Sequence, residues 1–228
     1  MVKGKKTVRQ DFAFFQALLK FYTDNRGTIR KRYKQLSKQI LDFNDPDLRM
    51  DAFLRKPQFE ALEIYVFLKE FGDNAHVHEL FQQWAKNAGL FEEFQTTGAD
   101  RKGQGTLLPF MELEGEDQYQ AIFTRLSARA RSYPNYIFAL TMGLGKTILM
   151  ATCIFYEFLL ANKFSKDTRF CKNALVFAPD KTVLQSLKEI QTLDLDLVVP
   201  PEYANFLRSN LKFHFLDDTA STIGAQDG

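Results

Sequence analysis

The sequence predicts an α/β protein, with a helical N-terminal region over residues 1–131 and a parallel sheet with crossover helices over residues 132–228. Three observations predict it. Apolar residues recur at helical spacing through the first half of the 228-residue chain. Short apolar runs alternate with helical segments through the second half. A glycine-bearing loop separates the first of those runs from a long apolar helix.

The elements follow in chain order. Phe12, Phe15, Leu18, Leu19 and Tyr22 share one helical face. Phe59 to Phe71 is a denser apolar segment, long enough to favour a buried helix over a strand. Leu80, Phe81, Trp84, Ala85 and Ala88 mark another helix, with Gly89 placed to stop it. From Glu92 to Asp117 the chain carries Gly98, Gly103, Gly105, Pro109 and Gly115 with little periodicity, which predicts a mobile insert over 92–117. Tyr119 to Arg131 reads as a further helix. Ser132-Tyr133-Pro134-Asn135 is a turn signal and the expected boundary between the two regions. Beyond it, Tyr136–Leu140 and Asn173–Ala178 read as buried strands. Lys146–Leu160 reads as a helix apolar nearly all round, Lys181 to about Ile190 as another helix, and Leu211–Leu216 as a third strand.

Composition narrows the class. At 45% hydrophobic residues, with 23 Phe, the chain buries a sizeable core rather than staying disordered. No apolar run reaches the roughly 20 residues of a membrane span, so no membrane partner is expected. The basic start lacks the apolar core of an export signal, and the two cysteines, Cys153 and Cys171, are too few for a disulfide scaffold. Reduced thiols in a cytoplasmic protein are therefore expected. Charge is uneven. Residues 1–38 hold eleven basic and two acidic side chains, a basic arm of +9 on a body of −7. Such an arm suits a polyanion, with nucleic acid the usual partner; a solvated basic helix face is the plain alternative.

The residues that carry chemistry begin with Gly143-Leu144-Gly145-Lys146-Thr147, between an apolar run and a long helix. Glycines let main-chain N–H groups close around phosphates, and a helix N-terminus adds partial positive charge. Lys146 suits the β- and γ-phosphates of ATP, and the Thr147 hydroxyl suits one position on Mg²⁺. The general phosphate-loop pattern has a glycine where this chain has Leu140.

Ala139-Leu-Thr-Met-Gly-Leu-Gly-Lys-Thr-Ile148 resembles motif I of superfamily-two DNA helicases and translocases of the DEAD/DEAH type. Its Met-Gly-Leu-Gly-Lys-Thr core is similar to Swi/Snf-type remodellers but lacks their preceding acidic pair. The wider setting resembles the Res subunits of type III and type I restriction enzymes. Asn173 to Gln185 resembles motif Ia, whose turn contacts nucleic-acid phosphates; the resemblance places that role on Pro179, Asp180, Lys181 and Thr182. Leu54-Arg55-Lys56-Pro57-Gln58 resembles the segment that recognises adenine, with Gln58 as the reader, although it lies 88 positions before Lys146 and requires a helical insert between them. With Gln58, the resemblance implies nucleotide contacts at Thr141, Met142, Gly143, Leu144, Gly145, Lys146 and Thr147.

What the resemblance implies is an incomplete RecA-like P-loop domain over 132–228, the first part of an ATP- and Mg²⁺-dependent DNA enzyme. Its hydrolytic acidic strand and second domain find no secure match, so no residue is assigned a catalytic role. The missing C-terminal helicase portion, or a partner subunit, is the expected complement. The alternative is a non-catalytic nucleotide- or DNA-binding module. Phe213 to Asp218 reads as a strand-to-loop boundary in preference to an acidic Mg²⁺ site. His76 and His78 fall on different helix faces and do not suggest a metal centre.

Overall fold

The computed structural model describes residues 10–86, 88–94, 116–141, 143–177 and 181–215. Every regular element among them is helical. In order they are α1 (Gln10–Lys31), α2 (Gln35–Asn44), α3 (Lys56–Val66) running into a π-helical turn at Phe67–Phe71, α4 (Val77–Ala85), a 3₁₀ turn at Gly89–Phe94, α5 (Glu116–Ser127), α6 (Lys146–Lys163), α7 (Lys181–Lys188) extended by a 3₁₀ turn at Glu189–Thr192, a short 3₁₀ turn at Leu195–Leu197, and α8 (Pro201–Asn210).

One buried cluster runs through both halves of the chain, from Phe14 to Leu207. The helix α6 lies at its centre and packs against α2, α3 and α8. Its buried residues Phe155, Tyr156, Leu159 and Leu160 explain why the sequence is apolar on nearly every side. A second layer joins α1, α4 and α5, where Phe14 meets Phe81 edge-on at 5.3 Å and Tyr119 stacks on Phe81 at 5.4 Å. Phe21, Phe71, Phe91 and Phe94 form an adjoining aromatic group.

Polar groups tie these layers together. Glu70, on the π-helical turn, caps α2 from outside its own segment: the Lys34 amide donates to Oε2 at 2.8 Å and the Ser37 hydroxyl donates to Oε1. One orphan main-chain donor at the N-terminus of α2 and a hydroxyl of its first turn are thereby satisfied where no local cap exists. Asp167 accepts from Arg169 Nε at 2.9 Å and pairs with Lys34 Nζ at 2.8 Å. Hydrogen bonds from Arg169 first, and from Lys34, hold its carboxyl well below the usual carboxylate range, outweighing the desolvation that opposes them. The sign follows from that depression. The stabilising contribution is complete above the ordinary carboxylate pKa of 3.8 and is lost as pH falls through the lower folded value. In thermal melts, Asp167→Asn is expected to lower the midpoint at pH 7, and its gap to the parent to close below about pH 4.

The expected parallel sheet is not what forms. Tyr136–Leu140, Asn173–Phe177 and Leu211–Phe215 take up no regular secondary structure, and no β-ladder joins them to one another or to any described residue; Ala178 and Leu216 fall outside the described residues. The α/β assignment, and with it the RecA-like sheet, is therefore corrected, among the described residues, to a helical body bearing irregular segments. The physical reason is that β-branched and aromatic runs bias the backbone to extended geometry, whereas a strand exists only when a neighbour takes up its N–H and C=O groups. The structure adds two helices that the sequence does not predict, α2 and α8, and α5 begins at Glu116 rather than Tyr119. Residues 95–115 of the expected insert lie outside the described residues.

Candidate nucleotide-binding site

The loop before α6 is built by two left-handed glycines, Gly143 at φ +78° and Gly145 at φ +66°. Gly145 is the N-cap of α6, and its carbonyl accepts the first helical hydrogen bond from the Leu149 amide at 3.1 Å. Both positions need a conformation that side chains disfavour. At Gly145 space adds a second requirement, because a Cβ there would lie 2.7 Å from Gln58 Nε2.

That contact shows how the loop is held. Gln58 sits at the third position of α3 and is only 3% exposed. Its Oε1 accepts the Arg55 amide at 2.9 Å, closing the helix N-terminus, while its Nε2 donates to the Gly145 carbonyl at 3.0 Å. Arg55 Nη1 approaches the Gly143 carbonyl at 3.5 Å. Pro57, in the first turn, needs no amide partner and presets the helical backbone. The start of α3 is thus a brace for the loop.

The brace has an electrostatic consequence. All peptide bonds of the described residues are trans, so each carbonyl points opposite to the N–H of the same peptide unit. With the carbonyls of Gly143 and Gly145 turned toward α3, the amides of Leu144 and Lys146 point away from it. The Lys146 amide, at the first position of the 18-residue α6, lies at the positive end of that helix's dipole. Lys146 is exposed and forms no ion pair with any described residue. Thr147 is half-buried one residue into the helix, Leu144 is half-buried, and Thr141 is exposed. Two oriented amides, one helix terminus and one uncommitted ammonium form a donor set that fits a phosphate chain. For Mg²⁺ the chain offers the Thr147 hydroxyl, and no group of three or more acidic, His or Cys side chains suited to a metal occurs among the described residues. A Mg²⁺ ion there would draw its remaining ligands from phosphate oxygens and water.

The other expected residues divide. The structure brings Gln58 against the loop across 87 positions, with α4 and α5 occupying the intervening chain. Its amide faces the loop main chain rather than solvent. Met142, Pro179 and Asp180 lie outside the described residues. Lys181 and Thr182 begin α7. Asp217 and Asp218 also lie outside the described residues. Cys153 is half-buried against the core, and desolvation, with Glu157 nearby, pushes its thiol up to about 12, which suits packing rather than nucleophilic chemistry.

The basic arm behaves differently from its charge count. Arg26 pairs with Glu63 and Asp45, Arg30 with Asp42, Asp45 and Glu63, Lys34 with Asp167, and Lys20 with Asp24. Arg32 lies over the rings of Phe71 and Phe94. Most described cations of the arm therefore face internal partners; Lys31 is exposed at the end of α1. Such pairing is not visible in the sequence, because Glu63 lies 37 positions from Arg26 and Asp167 lies still further along the chain from Lys34. Nor does the sequence predict the brace formed by Arg55 and Gln58, although a Gln three positions past a helix N-cap is placed to accept the N-cap amide.

Two clefts of about 660 and 390 Å³ lie elsewhere, one lined by Arg32, Asp73, Asn74 and His76, the other by Gln82, Lys86, Tyr119 and Phe123; neither includes a residue of the loop. No helix among the described residues is long and apolar enough to cross a membrane. No protein-family model, no curated protein and no solved structure matches this chain.

Proposed function

We propose that the chain binds ATP with Mg²⁺ at Gly143–Thr147, as the nucleotide-binding N-terminal segment of a DNA helicase or restriction-type translocase. The single observation that carries this reading is the orientation of the loop. Its carbonyls are turned into α3 by Gln58 and Arg55, and its amides are turned out beside the free ammonium of Lys146. In this reading the amides of Leu144 and Lys146 hold phosphate oxygens, and Lys146 neutralises the terminal phosphates. Thr147 supplies one oxygen to the metal, and Thr141 and Met142 flank the loop. Bound Mg²⁺ would supply charge neutralisation between phosphates. Gln58 acts on the nucleotide by holding Gly145 in place, and its buried amide reads adenine only if it leaves that carbonyl.

Hydrolysis belongs to the complete enzyme, in which an acidic water site and arginines from a further portion act on the bound nucleotide. DNA is the proposed polyanionic partner of that enzyme, through the residues 179–182 and the exposed cations of the arm. A cytoplasmic setting is part of the same proposal.

The test is a titration of the whole chain with a fluorescent ATP analogue and Mg²⁺. Saturable binding in the micromolar range, displaced by unlabelled ATP, is expected for a site that grips phosphates without a closing second wall. No binding at several hundred micromolar analogue would end the proposal.

A further inference from the structure

A preference for adenine would depend on Gln58, and the structure gives its amide a different task. An amide reads adenine by presenting its oxygen and its nitrogen side by side to N6 and N7. In this chain the oxygen accepts the Arg55 amide at 2.9 Å and the nitrogen donates to the Gly145 carbonyl at 3.0 Å. Those two partners fix which end of the side chain is which. Turned over, it would set its NH₂ group against the Arg55 N–H and its oxygen against the Gly145 carbonyl. Each end keeps one further position, since an amide oxygen has two lone pairs and its nitrogen two hydrogens. A base could reach neither without displacing the groups that cover them, because Gln58 is only 3% exposed.

Reading the base and holding the phosphates are therefore competing tasks. To meet adenine, Gln58 would have to swing out from between α3 and the loop. The Gly145 carbonyl would then lose the donor that turns it inward, and the Arg55 amide the acceptor that closes α3. The fit is close, since a Cβ on Gly145 would lie 2.7 Å from Gln58 Nε2. Arg55, the neighbouring side chain at the loop, is exposed and lies 3.5 Å from the Gly143 carbonyl. A guanidinium brings donors only, which suit phosphate oxygens whatever base they carry. Neither of the two clefts borders Gly143–Thr147, so neither is a socket for a base attached to phosphates held there.

We infer, given nucleotide binding at Gly143–Thr147, that the site selects the triphosphate chain and not the base. Its substrate class is the nucleoside 5′-triphosphates as a group, and Gln58 is a positioning residue for the loop. Purine and pyrimidine nucleotides bind alike, because the amides of Leu144 and Lys146 and the Lys146 ammonium meet oxygens that all of them share.

The test is displacement of a ribose-labelled fluorescent ATP analogue from the whole chain, with Mg²⁺, by ATP, GTP, CTP and UTP in turn. The four are expected to displace it within about threefold of one another. An amide paired to N6 and N7 would instead separate ATP from the rest by roughly 10- to 100-fold. Gln58→Glu keeps an acceptor for the Arg55 amide and removes the donor to Gly145. It is expected to weaken all four by a common factor of about 3- to 10-fold. Tenfold or greater preference for any one base, or a Gln58→Glu loss confined to ATP, would overturn the inference while leaving nucleotide binding in place. An analogue that fails to bind at all would end the nucleotide reading, and base-blind selection with it.

Discussion

Lys146→Ala is expected to weaken ATP binding roughly 10- to 100-fold, the range for removing a charge-assisted hydrogen bond to phosphate, with the thermal midpoint unchanged. The two halves of that expectation have separate origins. Lys146 is exposed, pairs with no described carboxylate and opens α6 without contributing to the core. Alanine is an excellent helix former, so the helix loses nothing by the change. The ammonium is therefore available to a ligand and dispensable to the fold. Gly145→Ala makes a useful contrast. Its φ of +66° penalises any side chain, and the new Cβ would press on Gln58 Nε2 at 2.7 Å. That variant is expected to lose both affinity and some stability, about 1–2 kcal/mol from the left-handed backbone alone. Isothermal titration beside calorimetric melting separates the cases. Unchanged affinity in Lys146→Ala would remove the nucleotide from the loop.

Glu63→Ala is expected to destabilise the protein by about 3 kcal/mol, at the low end of the range for breaking a buried ion pair, seen as a midpoint lowered by roughly 6–12 °C for a chain of this size. Glu63 is buried on α3 and accepts from Tyr22 at 2.8 Å and from Arg26 Nε at 2.5 Å, with Arg30 Nη1 at 3.5 Å. Both arginines also face the buried Asp45. Removing the carboxylate leaves two cations sharing Asp45, and it strands the Tyr22 hydroxyl, whose proton burial and Glu63 together hold more tightly than usual. Arg26 reaches water on one side, which softens the loss. Asp42→Asn tests the opposite case, because Asp42 is an exposed partner of Arg30; its effect is expected to stay within about 1 kcal/mol. Equal effects from the two variants would mean the network is no more than surface pairing.

The parts of the molecule legible in the sequence are those dictated by neighbours in the chain. Helix α6 follows from fifteen residues of continuous apolar pattern behind a left-handed glycine, and the loop from its own Gly-Leu-Gly-Lys-Thr. The helical run from Phe59 to Phe71 is present too, although its last turn widens to a π-helix so that Glu70 can cap α2. Helix α2 escaped notice because its cap comes from that distant carboxylate rather than from a local Ser or Asp. Helix α8 is not predicted, because the apolar run Leu211–Phe215 beyond its end is the stronger local pattern in that stretch.

Local residues alone determined most of the helices, α6 above all, and the place of a turn built on left-handed glycines, because backbone preference and glycine stereochemistry act over a few positions. Tertiary structure decided three things that depend on residues far apart: that the apolar runs stay unpaired, that Gln58 and Arg55 turn the carbonyls of the loop inward, and that the arm's arginines face Glu63 and Asp45. Pairing a strand, aiming a peptide plane and neutralising a buried charge each require a partner from another part of the chain, and only folding brings that partner within reach.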